Sequence, residues 1–294
     1  PPHWVRPDEP LPPLDAAPFT RRIDTSWRRT SYSGLTRTVH EAEYRPGGFR
    51  DDEPDEVLEQ PAPEPIEGPI SPFADMPAGA AFGTLVHHVL ESVATDEDLE
   101  AEIAIRCREQ LNAFPVADVT AEDLAGALLP AMRTPLGPLA ADLPLADIGR
   151  GDRLAELDFE LPMGATGPAT LSDLAALLRR SLPGTDPLAD YADRLDSPGL
   201  AESTLVGYLS GSIDAVLRIP GDQPRFLVVD YKTNMLRDPA RPGIERVVQG
   251  YHPNRLATAM MDAHYPLQAL LYNAALHRYL RWRLPGYDPA VHLG

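Results

Sequence analysis

The order of patterns along this sequence predicts an α/β fold, and three observations carry the prediction. Leu85, Val86, Val89, Leu90 and Val93 recur at helical spacing within 79–93. Residues 153–161 alternate apolar and polar side chains with period 2, as a half-buried strand does. Two strand-like runs, 203–218 and 225–231, flank a Pro-Gly-Asp-Gln-Pro turn at 220–224 and read as a hairpin.

The remaining elements follow in order. Residues 1–20 are Pro-rich and aperiodic and read as a linker. Residues 26–44 read as a short extended piece followed by a turn. From Arg45 to Asp75 the chain is acidic and Pro-rich, with Glu59-Gln60-Pro61-Ala62-Pro63-Glu64-Pro65 at its centre. Such a stretch buries too little apolar surface to order itself, so a disordered tether is expected, with the domain boundary at its end. Helices are expected at 97–114 and 121–133, and helical and loop-like structure over 170–195. A single long helix is expected over 255–283, with Leu267, Leu270, Leu271, Ala274, Leu276 and Leu280 on its apolar face.

Composition narrows the class. With 294 residues, 43% of them hydrophobic and 24% charged, the chain can bury a proper core. Its 33 prolines are about twice the usual share. The single cysteine, Cys107, excludes an internal disulfide framework and a Cys-based zinc site, and fits a reducing compartment such as the cytoplasm. No apolar run approaches the roughly 20 residues of a membrane span. The chain opens on Pro-Pro-His-Trp, without an initiator Met or a signal pattern, and reads as part of a longer one. The net charge of −18 argues against a free-standing nucleic-acid binder unless partners hold the nucleic acid. Clustered carboxylates also suit a divalent cation.

One residue stands apart. Lys232 is the chain's single lysine; the other 25 basic side chains are arginine. Arginine is a planar fork that stays charged, whereas lysine is a compact ammonium that shifts its pKa readily. Lys232 lies two residues after Asp230, in Val228-Val229-Asp230-Tyr231-Lys232, on what reads as a buried strand. Across the hairpin, Gly211-Ser212-Ile213-Asp214 places a second acid at the same end of the sheet. Residues i and i+2 of a strand share a face, so Asp230 and Lys232 should project together. Two carboxylates and an ammonium suit a Mg²⁺ site acting on phosphate. The plain structural alternative is a salt-bridged hairpin.

Further candidates come from the helices. His87 lies on the first amphipathic helix, with Glu91 one turn later; a lone helical histidine is more often structural than a ligand. Glu156 sits on the period-2 strand, where a solvent-facing acid is the ordinary reading. Gln268 and Tyr272, at i and i+4, share one face of the last helix. His264 and His277 have no ligand spacing, and the Ser-x-Ser around Tyr32 has no nearby histidine. No Gly-x-x-x-x-Gly-Lys loop is present, so the sequence carries no P-loop of its own.

Taken together, Gly83-Thr84-Leu85-Val86-His87, Gly211-Ser212-Ile213-Asp214, Asp230-Tyr231-Lys232-Thr233-Asn234 and Gln268-Ala269-Leu270-Leu271-Tyr272 resemble, in order and spacing, the RecB-type nuclease family of the PD-(D/E)xK class. That family forms the C-terminal domain of exodeoxyribonuclease V beta subunits. Ser31-Tyr32-Ser33-Gly34-Leu35 resembles the segment leading out of the helicase region, and the likeness covers most of 26–294. The resemblance implies a restriction-endonuclease-like core, a mixed β-sheet flanked by helices, with a long C-terminal helix. It implies that 1–44 ends a helicase region and linker, 45–75 is the tether and 76–294 the nuclease domain. It implies His87, Asp214 and Asp230 as Mg²⁺ ligands (Mn²⁺ as a substitute), with the Tyr231 carbonyl as a fourth. It further implies Lys232 as the catalytic lysine, Glu156 more loosely as a strand glutamate of the site, and Gln268 and Tyr272 as support for the site and the DNA strand. The implied activity is Mg²⁺-dependent DNA hydrolysis during break repair, in a chain that is also an ATP-dependent helicase. The implied partners are DNA, RecC-like and RecD-like subunits and a RecA-type recombinase. Family members run on through a Gly-Gly and another apolar strand, whereas this sequence stops at His292-Leu293-Gly294, so a truncated C-terminal end is expected. Two other readings stay open: a nuclease-fold scaffold that docks partners, and a stand-alone RNA nuclease or nucleotide hydrolase.

Overall fold

The computed structural model describes residues 28–40, 58–59, 70–163, 169–237 and 251–294. The linker at 1–20 and most of the acidic stretch at 45–75 lie outside these. The architecture is α/β, a mixed sheet flanked by helices and compatible with a restriction-endonuclease-like core.

Strand β1 (Arg28–Thr30) runs into helix α1 (Tyr32–His40), where the sequence reading had a turn. Ser31 explains the difference. Its hydroxyl accepts from the Gly34 amide at 3.2 Å and its carbonyl from the Leu35 amide at 3.0 Å, which starts a helix in the manner of an N-cap. A short strand, β2 (Leu58–Glu59), is followed by α2 (Ala80–Ser92), α3 (Leu99–Ala113) and α4 (Ala121–Met132). Asp98 and Thr120 cap α3 and α4 through their side chains, and both helices carry acids in the first turn, where the helix dipole favours them.

Strand β3 (Arg153–Met163) has the alternating burial its sequence pattern predicts. After β4 (Ala169–Thr170), a reciprocal Thr170–Asp173 capping box opens α5 (Leu171–Ser181), and α6 (Tyr191–Leu195) follows. Strand β5 (Thr204–Leu205) pairs with β4, and then β6 (Gly207–Ile219) and β7 (Arg225–Val229) form the expected hairpin. Strand β8 (Leu236–Arg237) pairs with β2.

The expected single helix over 255–283 is two, α7 (Pro253–Asp262) and α8 (Tyr265–Arg283). Pro266 falls in the first turn of α8, where its missing N–H costs nothing; inside a continuous helix it would remove a hydrogen bond and clash with the preceding turn. The chain reverses through His264, whose φ of 57° is left-handed. The buried face of α8 also differs from the expected one. Leu267, Gln268, Tyr272, Ala275, Leu276 and Leu280 are buried, whereas Leu270 and Ala274 look outward. The final helix α9 (Pro289–His292) brings Leu293 and Gly294 alongside Phe226 of β7, with the Gly294 amide donating to the Phe226 carbonyl at 3.1 Å.

Strand β6 is the axis of the sheet. Along one edge it pairs with β3 over its whole length, antiparallel. Its other edge is shared: Gly207–Leu209 pair with β1 in parallel, and Ala215–Ile219 pair with β7 antiparallel. Residues 210–214 are left in the gap between those two partners. At the end of that gap the side-chain alternation slips. Ile213 and Val216 pack toward α8, whereas Ala215, Leu217 and Ile219 pack toward α2–α4. The slip lies opposite Glu156, whose φ of 51° interrupts β3 between the registered pairs Ala155–Ala215 and Leu157–Ile213. A left-handed residue inside a strand reorients what surrounds it, and such features cluster at functional sites.

Leu217 is fully buried where β6 meets the helical layer that includes Leu85 and Val89. Leu217→Ala should lower unfolding stability by about 2–5 kcal/mol, since it deletes apolar contacts and leaves a cavity. Urea unfolding followed by circular dichroism checks this.

Candidate functional site

The gap in β6 opens into a cleft of about 450 Å³, lined by residues of α1, α2, β3, β6, α8 and the loop after β7. Two glycines let its walls close in. A Cβ at Gly83 would lie 3.3 Å from Thr233 Oγ1, so glycine allows α2 to approach that loop. A Cβ at Gly211 would lie 2.8 Å from Phe159 Cζ, so glycine allows that ring to cross the strand.

Strand β7 ends at Val229, and Asp230-Tyr231-Lys232 lie just beyond it rather than within it. Continuing the β6–β7 register past Ala215–Val229 sets Asp230 opposite Asp214. The Tyr231 amide donates to Asp214 Oδ2 at 2.6 Å, which fixes that carboxylate against the loop. His87 reaches in from α2. One ring nitrogen, Nε2, meets the Tyr231 carbonyl at 2.9 Å, and Nδ1 lies 3.5 Å from Asp214 Oδ1. Lys232 Nζ is 2.5 Å from Asp230 Oδ2, and Gln268 Nε2 donates to Asp230 Oδ1 at 3.1 Å and to the Tyr272 hydroxyl at 3.1 Å. His87, Asp214, Asp230, Tyr231, Lys232, Gln268 and Tyr272, named from the sequence, thus form one connected cluster.

Burial sets the protonation of this cluster. It pushes Asp230 up to about 8, helped by the charge of Asp214 and opposed by His87. It pulls Lys232 down to about 7. Burial also acts to lower His87, but the hydrogen bond and charge of Asp214, the charge of Asp230 and the Tyr231 carbonyl outweigh it, and His87 ends above its ordinary value. Both its ring nitrogens face acceptors, the arrangement that favours the doubly protonated ring.

Glu156 lies in the wall of the same cleft, where its partner is Glu91 of α2. The charge of Glu91, then burial, raises the Glu156 carboxyl. His88 turns away from the Asp214 side: its ring stacks on Phe114 at 4.5 Å and its Nδ1 lies 3.5 Å from Glu91. The Gly-Thr-x-x-His register therefore picks the histidine that meets Asp214.

Sequence reasoning assigned no role to Tyr265. Its ring lies 4.6 Å below the Lys232 ammonium, and its hydroxyl donates to Asn234 Oδ1 at 2.8 Å. A signal existed: Tyr265 precedes Gln268 by three residues and so shares its helix face.

No family model matches the chain. Among curated proteins, it is 49% identical over 302 residues to the RecBCD enzyme subunit RecB of Mycolicibacterium smegmatis, an alignment covering 98% of this chain and 27% of that protein. It is 48% identical over 299 residues to the RecBCD enzyme subunit RecB of Mycobacterium tuberculosis, covering 97% and 26%. The subunit of the same name from Escherichia coli is 28% identical over 292 residues, covering 99% and 22%. Over nearly its whole length the chain is similar to one part of these RecB subunits. It spans about a quarter of the length of the mycobacterial relatives it matches.

Similarity to RecB raises the question of a metal, and the donor set fits one. Two carboxylates, an imidazole and a backbone carbonyl are the oxygen and nitrogen donors a hard divalent cation takes. Among the described residues, no three His, Cys, Asp or Glu side chains already stand around one point at ligand spacing. Instead these donors satisfy one another, His87 on the Tyr231 carbonyl and Asp214 on the Tyr231 amide. Among the described residues, no helix is long and apolar enough to cross a membrane.

Proposed function

We propose that this chain is the nuclease domain of a RecB-type helicase–nuclease subunit and hydrolyses DNA phosphodiester bonds with Mg²⁺ during double-strand break processing. The observation that carries the reading is the meeting of Asp214, Asp230 and His87 in an open cleft at the gap in β6, with Lys232 paired to Asp230. In this reading His87, Asp214, Asp230 and the Tyr231 carbonyl hold the cation. When bound, it supplies Lewis acidity toward the phosphate and the attacking water.

The protein groups have distinct tasks. The Tyr231 amide keeps Asp214 aimed into the site, and Gln268, itself anchored on Tyr272, does the same for Asp230. Fixing both carboxylates before substrate arrives lowers the reorganisation the reaction requires. Lys232 sets a positive charge beside Asp230, and its task is to offset charge gathering on the phosphate. Gln268 and Tyr272 also border the cleft along which a strand would lie.

The chain's net charge of −18 gives phosphate little general attraction. The reading therefore assigns delivery of DNA to an ATP-dependent motor earlier in the full-length chain and to RecC-like and RecD-like partners, in keeping with the relatives' names. The test is cleavage of matched DNA and RNA by the assembled full-length protein. Chelation should abolish DNA cleavage, Mg²⁺ should restore it, and RNA should remain intact. DNA cleavage that survives exhaustive chelation would overturn the reading, and so would preferred cleavage of RNA.

A further inference from the structure

The sole lysine of the chain is gripped from a direction that the metal ligands do not explain. Tyr265, only 7% exposed, lays its ring under the Lys232 ammonium at 4.6 Å. The electron-rich face of an aromatic ring attracts a cation, more strongly where water is excluded. The Tyr265 hydroxyl donates to Asn234 Oδ1 at 2.8 Å, two residues beyond Lys232. The main chain at Asn234 is held in turn, because Tyr251 donates its hydroxyl proton to the Asn234 carbonyl at 3.1 Å and accepts from the Leu236 amide at 3.1 Å. The ring is thus fixed relative to the same loop that carries the lysine.

One turn further along α8, Gln268 holds the other half of the Asp-x-Lys pair. A lysine stem left loose samples many rotamers, and confining it costs side-chain entropy. The break before α8 matters here. Pro266 starts a new helix at Tyr265, so a single helix face presents Tyr265 to Lys232 and Gln268 to Asp230.

We propose that Tyr265 is a positioning residue for Lys232, its ring face holding the ammonium at the cleft in register with Asp230. The inference rests on the nuclease reading above and adds to it a residue that touches neither cation nor DNA. A purely structural role predicts a general loss of stability; positioning predicts a rate effect that needs the lysine.

The experiment is single-turnover DNA cleavage in Mg²⁺ by the assembled full-length protein, with Tyr265→Leu and Tyr265→Phe made in the wild type and in Lys232→Ala. Tyr265→Leu should slow cleavage about tenfold, the scale of a desolvated cation–π contact, while the DNA concentration giving half-maximal rate moves less than about twofold. Tyr265→Phe keeps the ring and loses the Asn234 bond, so about a threefold loss is expected. In Lys232→Ala both substitutions should change the residual rate by less than about twofold, because the group they position is gone. If the leucine protein fails to assemble, Tyr265→Met in the same two backgrounds takes its place, since it too removes the aromatic face. Undiminished cleavage by the variants overturns the proposal, as does an equal loss with and without Lys232. A wild type that leaves DNA intact in Mg²⁺ overturns the nuclease reading itself, a different result from either.

Discussion

Asp230→Ala in the assembled full-length protein should reduce Mg²⁺-dependent DNA cleavage by about 10²–10³-fold or more, the scale seen when a preorganised charge-stabilising group is removed. Asp230 combines three connections: Lys232 on one carboxylate oxygen, Gln268 on the other, and Asp214 opposite it across the end of the hairpin. Its loss should also remove divalent-cation binding measured by calorimetry. Folding should be spared, since Asp230 lies beyond the end of β7 and burial already disfavours its charge. Thermal unfolding should therefore occur at or slightly above the wild-type midpoint. Lys232→Ala should separate the two roles: cleavage falls by about 10²-fold while the cation still binds, since the proposed reading gives the lysine the task of offsetting charge and leaves it out of the ligand set. Unwinding by the motor should persist in both variants. Full DNA degradation by Asp230→Ala would leave the site without the role assigned to it.

The reach of the sequence can be judged from particular residues. Helix α2, strand β3 and the β6–β7 hairpin were legible because each buries one face and so writes its period into the sequence. The seven clustered polar residues were legible as motifs, since a carboxylate next to a lone lysine is an unusual thing to bury. The break before α8 was missed because apolar periodicity runs on from Leu256 to Leu280, and only Pro266 marks the interruption. The inward face of α8 was misjudged for a related reason. Gln268 and Tyr272 lie on it, so the helix turns to serve the site and leaves Leu270 37% exposed. Helix α1 was read as a turn because its cap is a bond between Ser31 and the Gly34 amide, which Ser and Gly together disguise. The left-handed Glu156 had no local signature, since the sheet around it imposes it. Tyr265 shares a helix face with Gln268, but the meeting of its ring with Lys232 is set by α8 passing behind the end of β7, a tertiary fact.

Divalent-cation affinity should rise steeply with pH between about 6 and 8, and the sign follows from the groups that must be emptied of protons. Burial, then the charge of Asp214, raises Asp230 well above the usual carboxylate range, so protons compete with the cation for it as the pH falls. His87 ends above its ordinary value on account of Asp214, Asp230 and the Tyr231 carbonyl, so it too is protonated at the acid end. Burial also pulls Lys232 down, but its ion pair with Asp230 at 2.5 Å holds the ammonium charged, so it is not among the groups that must be emptied. Asp230 and His87 act in one direction. Binding displaces protons, and each proton displaced makes affinity change by up to about tenfold per pH unit below the group's pKa. Mn²⁺ titrations of the assembled protein at pH 6, 7 and 8 should therefore show affinity gaining about tenfold or more per unit at the acid end and flattening above pH 8. Calorimetry in buffers of different ionisation enthalpy should count at least one proton released at pH 7. Replacing His87 with Gln removes one titrating donor, so the slope at the acid end should become shallower while affinity falls at every pH. An affinity that stays flat from pH 6 to pH 8 would mean that the cation binds away from Asp230 and His87.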